Sequence, residues 1–282
     1  MTTRNLLSLA RRFCVQLAAI LAMGSAALAQ TSSGNSTERL VIWPLGDSIT
    51  QGAGAPGGYR DPLHKLLTDA GYNAAFVGSY AIASTPSLEA SGNAFHDGHG
   101  SFPAFVMLED IDGLAKPTKP QTPKTHNGGS WLTGTSSRPA IHPDIVLLMA
   151  GTNDLGMFER GAQETLEAYD RLLEKIFTLR PKTTVICATL APYNGPMKSG
   201  PRDYSKREAK QLEFNAGLPA LVAKHKAAGR RVFLCDMRQK FPASSAGALL
   251  TNDGVHPNQD GYNAIAASWF EVIKTAFPRP AK

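Results

Sequence analysis

Val41-Ile42-Trp43-Pro44-Leu45-Gly46-Asp47-Ser48-Ile49-Thr50 is an apolar run of strand type that stops abruptly at Gly-Asp-Ser. A Gly-rich turn follows from Gln51 to Gly58, and a helix-type pattern opens near Tyr59. A serine at the exit of a buried strand, with small neighbours, is exposed at the carboxyl edge of a sheet. Open α/β sheets place their ligands at that edge. Ser48 is therefore a candidate nucleophile. The plainer reading is a simple turn, because Gly, Asp and Ser all favour turns. The far end of the chain decides between the two.

Working outward, strand-type and helix-type segments alternate. Leu40 to Leu45 reads as the first strand. Tyr59 to Ala70 carries Leu63, Leu66 and Leu67 on one helical face and stops at Gly71. Further strands are expected at Ala74–Ser79, Asp144–Met149, Thr183–Leu190 and Val232–Cys235, and further helices at Glu164–Leu179, Arg207–Ala228 and Gly261–Phe277. Each strand is a continuous apolar run, so the fold class is α/β, with a parallel sheet covered on both faces. Ala81 to Ala140 breaks the pattern: one short apolar piece, Phe102–Leu114, and a Lys/Pro/Thr tract at Pro117–Gly129 that reads as a surface loop. So long an irregular stretch often lines a site.

Residues 1–29 read as an export signal. Arg4, Arg11 and Arg12 form a basic front, Phe13–Ala29 is apolar, and Ala27-Leu28-Ala29 is a small-x-small cleavage pattern. Its apolar run of about 17 residues is marginal for spanning a bilayer. Residues 30–39 read as a polar, disordered lead-in, and 40–282 as one domain. The expected destination is the periplasm or the medium, with no membrane attachment after cleavage. The formal charge of +6 falls to about +3 once the signal's three arginines leave. No basic stripe with interleaved aromatics remains, so nucleic acid is not an expected partner. Cys14 lies in the signal. Cys187 and Cys235 sit in apolar strands, as two buried thiols or as one bridge between neighbouring strands.

Three polar clusters lie at strand exits or in loops: Gly46-Asp47-Ser48, Gly151-Thr152-Asn153-Asp154, and Asp253-Gly254-Val255-His256-Pro257. Strand exits at one sheet edge bring distant residues together. Asp253 and His256, three apart on a loop, can reach one another. The carboxylate then fixes the imidazole tautomer while Nε2 faces Ser48. A lone His beside an Asp is more often structural, but a serine at a strand exit together with this pair reverses that judgement.

Gly-Asp-Ser-Ile, Gly-Thr-Asn-Asp and Asp-Gly-Val-His-Pro, in this order and at this spacing, resemble the SGNH hydrolases, the GDSL-type esterases. The likeness runs from about Leu40 to Phe277. It implies a flavodoxin-like three-layer α/β/α sandwich with a five-stranded parallel sheet. It also implies a Ser-His-Asp hydrolase in which Ser48 is the nucleophile, His256 the base and Asp253 the third member. Asn153 and the backbone N–H of Ser48 match two donors of the family's oxyanion hole. The family also uses an oxyanion glycine, matched by Gly98, with Gly100 as the alternative. His96-Asp97-Gly98-His99-Gly100-Ser101-Phe102 resembles the His-Glu-Gly-His-Pro-Gly-Trp segment of carbohydrate esterase family 3, the acetylxylan esterase-like branch. So do Gly57-Gly58-Tyr59-Arg60 and Phe76-Val77-Gly78-Ser79. The departures are Asp97 for Glu, Gly100 for Pro, Ser101 for Gly and Phe102 for Trp.

Other patterns weigh less. Gly52-x-Gly54-x-x-Gly57 matches a dinucleotide fingerprint, but it starts past the strand end, and the next strand lacks an acidic residue for a ribose. His96, Asp97 and His99 lack a clear further metal partner and fit a pocket-shaping loop better. His142-Pro143-Asp144 reads as structural. Arg60 and Asp154 are expected to brace the nucleophile turn or the Asn153 loop by ion pairing. The chain is thus expected to be an exported serine esterase that deacetylates a carbohydrate, a small-molecule or polysaccharide ester, with no cofactor or metal. A lysophospholipase or thioesterase, or a silent carbohydrate-binding protein on the same fold, are the alternatives.

Overall fold

The computed structural model describes residues 38–114, 129–193 and 204–279, with side chains of the last segment described from residue 206. The expected signal, nearly all of the lead-in and nearly all of the Pro117–Gly129 tract lie outside the described residues. Among the described residues six parallel strands form one sheet: β1 (Leu40–Gly46), β2 (Ala74–Phe76), β3 (Asp97–Gly98), β4 (Ile145–Met149), β5 (Thr184–Ala188) and β6 (Val232–Cys235). The main path runs β2-β1-β4-β5-β6. This is the doubly wound order 2-1-3-4-5 if the two-residue β3 is set aside. The sixth strand was not expected from the sequence; two residues are too few to show a period.

Pro44 lies inside the central strand β1, where a proline should delete a ladder hydrogen bond. The register explains why it is tolerated. Ile42 and Gly46 both turn their carbonyls to one side of β1, accepting from Val77 N–H and His99 N–H at 2.9 Å each. Pro44, two positions from each, faces the same side. There β2 covers residues 40–42 and β3 covers residues 45–46. The proline falls in the gap between them, where no strand residue is registered against it.

Helices cover both faces. On one side α2 (Arg60–Asp69) packs with the closing helix α9 (Gln259–Ala276). On the other, α4 (Ala104–Asp110), α6 (Ala162–Leu179) and α7 (Tyr204–Ala227) pack in sequence. The remaining helices α1 (Ser48–Gln51), α3 (Pro86–Ala90), α5 (Thr152–Gly156) and α8 (Ala246–Leu249) are one-turn pieces. Helix α6 buries Thr165, Ala168, Tyr169, Leu172, Leu173 and Ile176, the three- and four-residue spacing of one helical face. Helix α9 is capped by Asn258, whose side chain accepts Gly261 N–H at 3.1 Å, and it buries Tyr262, Ile265, Trp269 and Ile273.

Cys187 and Cys235 are both free and buried. They lie on neighbouring strands, but Cys187 is registered with Leu234 and Cys235 with Ala188. Registered residues share a sheet face and successive residues alternate, so the two thiols face opposite sides. Burial pushes Cys187 up to about 12 and raises Cys235 further. A chain beginning at residue 30 should therefore show no free thiol to Ellman's reagent when native and two after unfolding without reductant. A bridged pair would show none in either state.

Candidate active site

The strand order reverses between β1 and β4, and both strands end in polar loops at this switch point. Ser48 opens α1 directly after β1, and Asn153 lies in α5 directly after β4. The turn into α1 is held by Asp47, whose side chain accepts Ile49 N–H at 2.9 Å. Gly46 has no room for a side chain: a Cβ there would strike Thr50 Oγ1 and the Met149 carbonyl. The β1 exit and the β4 exit are thus pressed backbone to backbone.

The third element arrives from the other end of the chain. The Thr251–His256 loop closes on itself through Thr251 N–H donating to His256 O at 2.8 Å and Gly254 N–H to Thr251 O at 3.0 Å. It is seated on the Gly-rich turn. Any side chain on Gly54 would collide with the Pro257 carbonyl, and Tyr262 Oη donates to Ala53 O at 2.6 Å. The glycines of the dinucleotide-like pattern therefore serve close packing, with Gly54 beside the histidine loop and Gly52 against Gly58.

These contacts bring Ser48, Asp253 and His256 into one chain of hydrogen bonds. Ser48 Oγ lies 2.8 Å from His256 Nε2, across 208 residues of sequence, and His256 Nδ1 lies 2.6 Å from Asp253 Oδ2. Burial pulls the Asp253 carboxyl upward, but bonds from the His256 ring, from the His256 and Val255 amides and from Thr251 outweigh it and hold it at about 2. The carboxylate is thus ionised at neutral pH. Nδ1 carries the proton toward it, and the Nε2 lone pair faces the serine.

Asn153 Nδ2 donates to Phe102 O at 3.1 Å, which leaves its second amide hydrogen for another acceptor. Next to it, Asp154 Oδ2 accepts Ala104 N–H at 2.7 Å, capping α4 from across the chain. Gly98, the expected oxyanion glycine, does not fit that role. Its N–H donates to His96 Nδ1 at 3.0 Å, its carbonyl accepts from Tyr80 Oη, and it packs against Thr50 and Gln51. Gly100 lines the cavity with Ser48, Asn153 and His256. Among the described residues its N–H and that of Ser48 meet no acceptor.

The cavity around these groups holds about 280 Å³ and is also lined by Gln51, Ser101, Thr152, Met157, Tyr193 and Arg207. A larger cavity of about 730 Å³ lies by Phe76–Ser79 and Arg138–His142, away from the Ser48–His256 pair. Tyr193 and Arg207 had no signal in the sequence, being an isolated aromatic and one helical cation among several.

Arg60 braces the turn that carries Ser48, and among the described residues it does so without a salt bridge. It is wholly buried and donates to backbone carbonyls: Ala94 at 2.7 Å, Ala83 at 2.9 Å, Gln51 at 3.1 Å and Ile82 at 3.5 Å. Asp154 likewise acts through a backbone amide. His96 and His99 belong to the loop's internal support. His96 Nε2 faces Ile82 O at 2.9 Å, and burial, helped by the Arg60 charge, keeps its pKa well below 6.5. The imidazole is therefore neutral, with its proton on Nε2. His99 Nε2 meets Asp97 Oδ1 at 3.2 Å, and the ring stacks between Tyr80 and Trp131. Asp97 also accepts Trp43 Nε1–H at 2.7 Å. Among the described residues the three-ligand grouping of His and carboxylates is instead Asp170, Glu174 and His225, and Lys224 and Arg230 already pair with its acids.

Two carboxyls beside the site are buried at a price in stability. Desolvation pushes Asp47 and Asp154 each up to about 6, against the pull of the Ile49 and Ala104 amides. A raised folded-state pKa stabilises most below the unfolded value of 3.8, and that stability is lost as pH rises through 6. Buried His96, with its depressed pKa, changes stability in the opposite sense, so the wild-type curve alone is not diagnostic. Unfolding of D154N should be compared with wild type in urea. Their stability difference should move by about 2 kcal/mol in favour of Asn between pH 4.5 and 7.5. A difference that stays flat would mean Asp154 titrates normally.

A model of the GDSL-like lipase/acylhydrolase family matches residues 114–264, over half of the chain, and the chain belongs to that family. That family is a class of lipases and acylhydrolases, named for the cleavage of esters. Within the class it resembles the family 3 carbohydrate esterases. The Clostridium thermocellum family 3 carbohydrate esterase superposes with a TM-score of 0.62 at 26% identity, over 85% of this chain and 98% of that one. A carbohydrate esterase family 3 structure from Talaromyces cellulolyticus shares the fold, with a TM-score of 0.62 at 24% identity over 86% of this chain and all of the other. A multidomain esterase of Ruminococcus flavefaciens is 28% identical over 243 residues, 83% of this chain but 28% of that protein. The chain thus spans little more than a quarter of that relative's length.

Proposed function

We propose that this protein is an exported serine esterase that removes small acyl groups, acetyl foremost, from a carbohydrate. The observation that carries the reading is the linked pair of contacts, Ser48 Oγ to His256 Nε2 at 2.8 Å and His256 Nδ1 to Asp253 Oδ2 at 2.6 Å. A neutral serine is a poor nucleophile. As Oγ attacks the ester carbonyl carbon, His256 Nε2 takes its proton and Asp253 stabilises the imidazolium. The carbonyl π electrons move onto oxygen. The free amide hydrogen of Asn153 and the N–H groups of Ser48 and Gly100 are the donors offered to that oxyanion, Gly100 replacing Gly98. Collapse breaks the bond to the alcohol oxygen, which leaves with the proton from Nε2. Water then attacks the acyl-enzyme, again giving a proton to His256, and the second collapse releases the acid and restores Ser48.

The cavity supports a small acyl group. About 280 Å³ is at the low end for ligand pockets and offers little to a long chain, which disfavours the lysophospholipase or thioesterase reading. An assembled serine, imidazole and carboxylate disfavour the silent carbohydrate-binding protein. The basic, apolar, small-residue order of residues 1–29 supports export. The reading is tested by profiling purified protein on acetylated xylo-oligosaccharides and on 4-nitrophenyl esters of rising chain length. Acetyl and propionyl esters should be cleaved fastest, with kcat/KM falling at least about tenfold by octanoyl. A maximum at octanoyl or longer would replace this reading with the long-chain one.

A further inference from the structure

The loop between β3 and α4 turns at His99-Gly100-Ser101-Phe102, where Phe102 N–H donates to His99 O at 3.1 Å. Gly100, the first central residue, is not left-handed, while Ser101, the second, has φ +65°. That pattern is a type II turn, which favours glycine at the second central position. Here the glycine stands one place too early and a serine bears the left-handed conformation. The turn is fixed from outside: His99 N–H is tied to Gly46 O, Phe102 O to Asn153 Nδ2, and Ala104 N–H to Asp154. Strain held in place by its surroundings clusters at functional sites.

Ser101 lines the cavity that holds Ser48, Asn153 and His256, and its hydroxyl bonds to no described residue. A glycine would relax the turn. What the serine adds is one hydroxyl on a residue that lines this cavity. We propose that Ser101 is a specificity residue whose hydroxyl hydrogen-bonds the alcohol part of the substrate, so that the site favours esters of polyhydroxylated alcohols over esters whose alcohol part carries no hydroxyl. The proposal rests on the esterase reading above.

The test compares wild type, S101A and S101G on two probes, acetylated xylobiose and 4-nitrophenyl acetate, whose leaving group has no further hydroxyl. The readout is the ratio of kcat/KM between them. Loss of one neutral hydrogen bond should lower that ratio by about three- to tenfold in both variants. S101A keeps the left-handed strain, whereas S101G relieves it and should raise Tm by about 2–4 °C. A wild-type ratio in S101A overturns the assignment, whatever S101G does. A wild type that cleaves only 4-nitrophenyl acetate also overturns it while leaving the esterase reading intact. A wild type inactive on both removes the esterase reading and this one with it.

Discussion

With Ser48 replaced by alanine, kcat on 4-nitrophenyl acetate is expected to fall by about 10⁶-fold, with little change in KM. The whole chemical step starts from one Oγ–H bond, and alanine leaves His256 with no proton to accept. A residual rate of about 10³–10⁴ over water is expected from the remaining donors and from binding. The fold should not suffer. Among the described residues the Ser48 hydroxyl hydrogen-bonds His256 alone, and Ser48 opens a helical turn whose cap is the neighbouring Asp47. Thermal midpoint and circular dichroism should match wild type. Wild-type turnover by pure S48A protein would remove the nucleophile from its role.

Asp253→Asn should lower kcat by about 10⁴-fold, through the tautomer. Asp253 uses its two oxygens differently. Oδ1 accepts from Thr251 Oγ1 at 2.8 Å and from the Val255 and His256 amides at 2.9 Å each, while Oδ2 faces His256 Nδ1. An asparagine that keeps its oxygen on the three loop donors must point its NH₂ at Nδ1. That nitrogen then carries the lone pair and Nε2 the proton, so the ring offers Ser48 a donor where a base is needed. The loop survives and the chemistry does not. A D253N variant with native stability and activity within tenfold of wild type would make Asp253 a loop brace only.

The alternation of strands and helices was legible because long buried runs and helical periods repeat over many residues. The three polar clusters were legible because each sits at an element end, and topology carries such ends to one edge. Four features were hidden. A two-residue strand such as Asp97–Gly98 has no period to read. The choice between Gly98 and Gly100 turns on which amide already has an acceptor, and the bond from Gly98 N–H to His96 Nδ1 is visible only in three dimensions. Arg60 reads as a candidate ion-pair partner because a sequence displays carboxylates and conceals the carbonyls of Ala83 and Ala94. Tyr193 and Arg207 join the cavity through α5 and α7 packing, which leaves no local mark.

The buried guanidinium of Arg60 grips Gln51, at the end of the nucleophile helix, together with carbonyls from the segments at 82–83 and 94. Those partners lie up to 34 residues downstream. The serine's turn is therefore tied through one side chain to segments well beyond it in the sequence. The shape of the Ser48 turn thus depends on tertiary contacts and not on its local sequence alone.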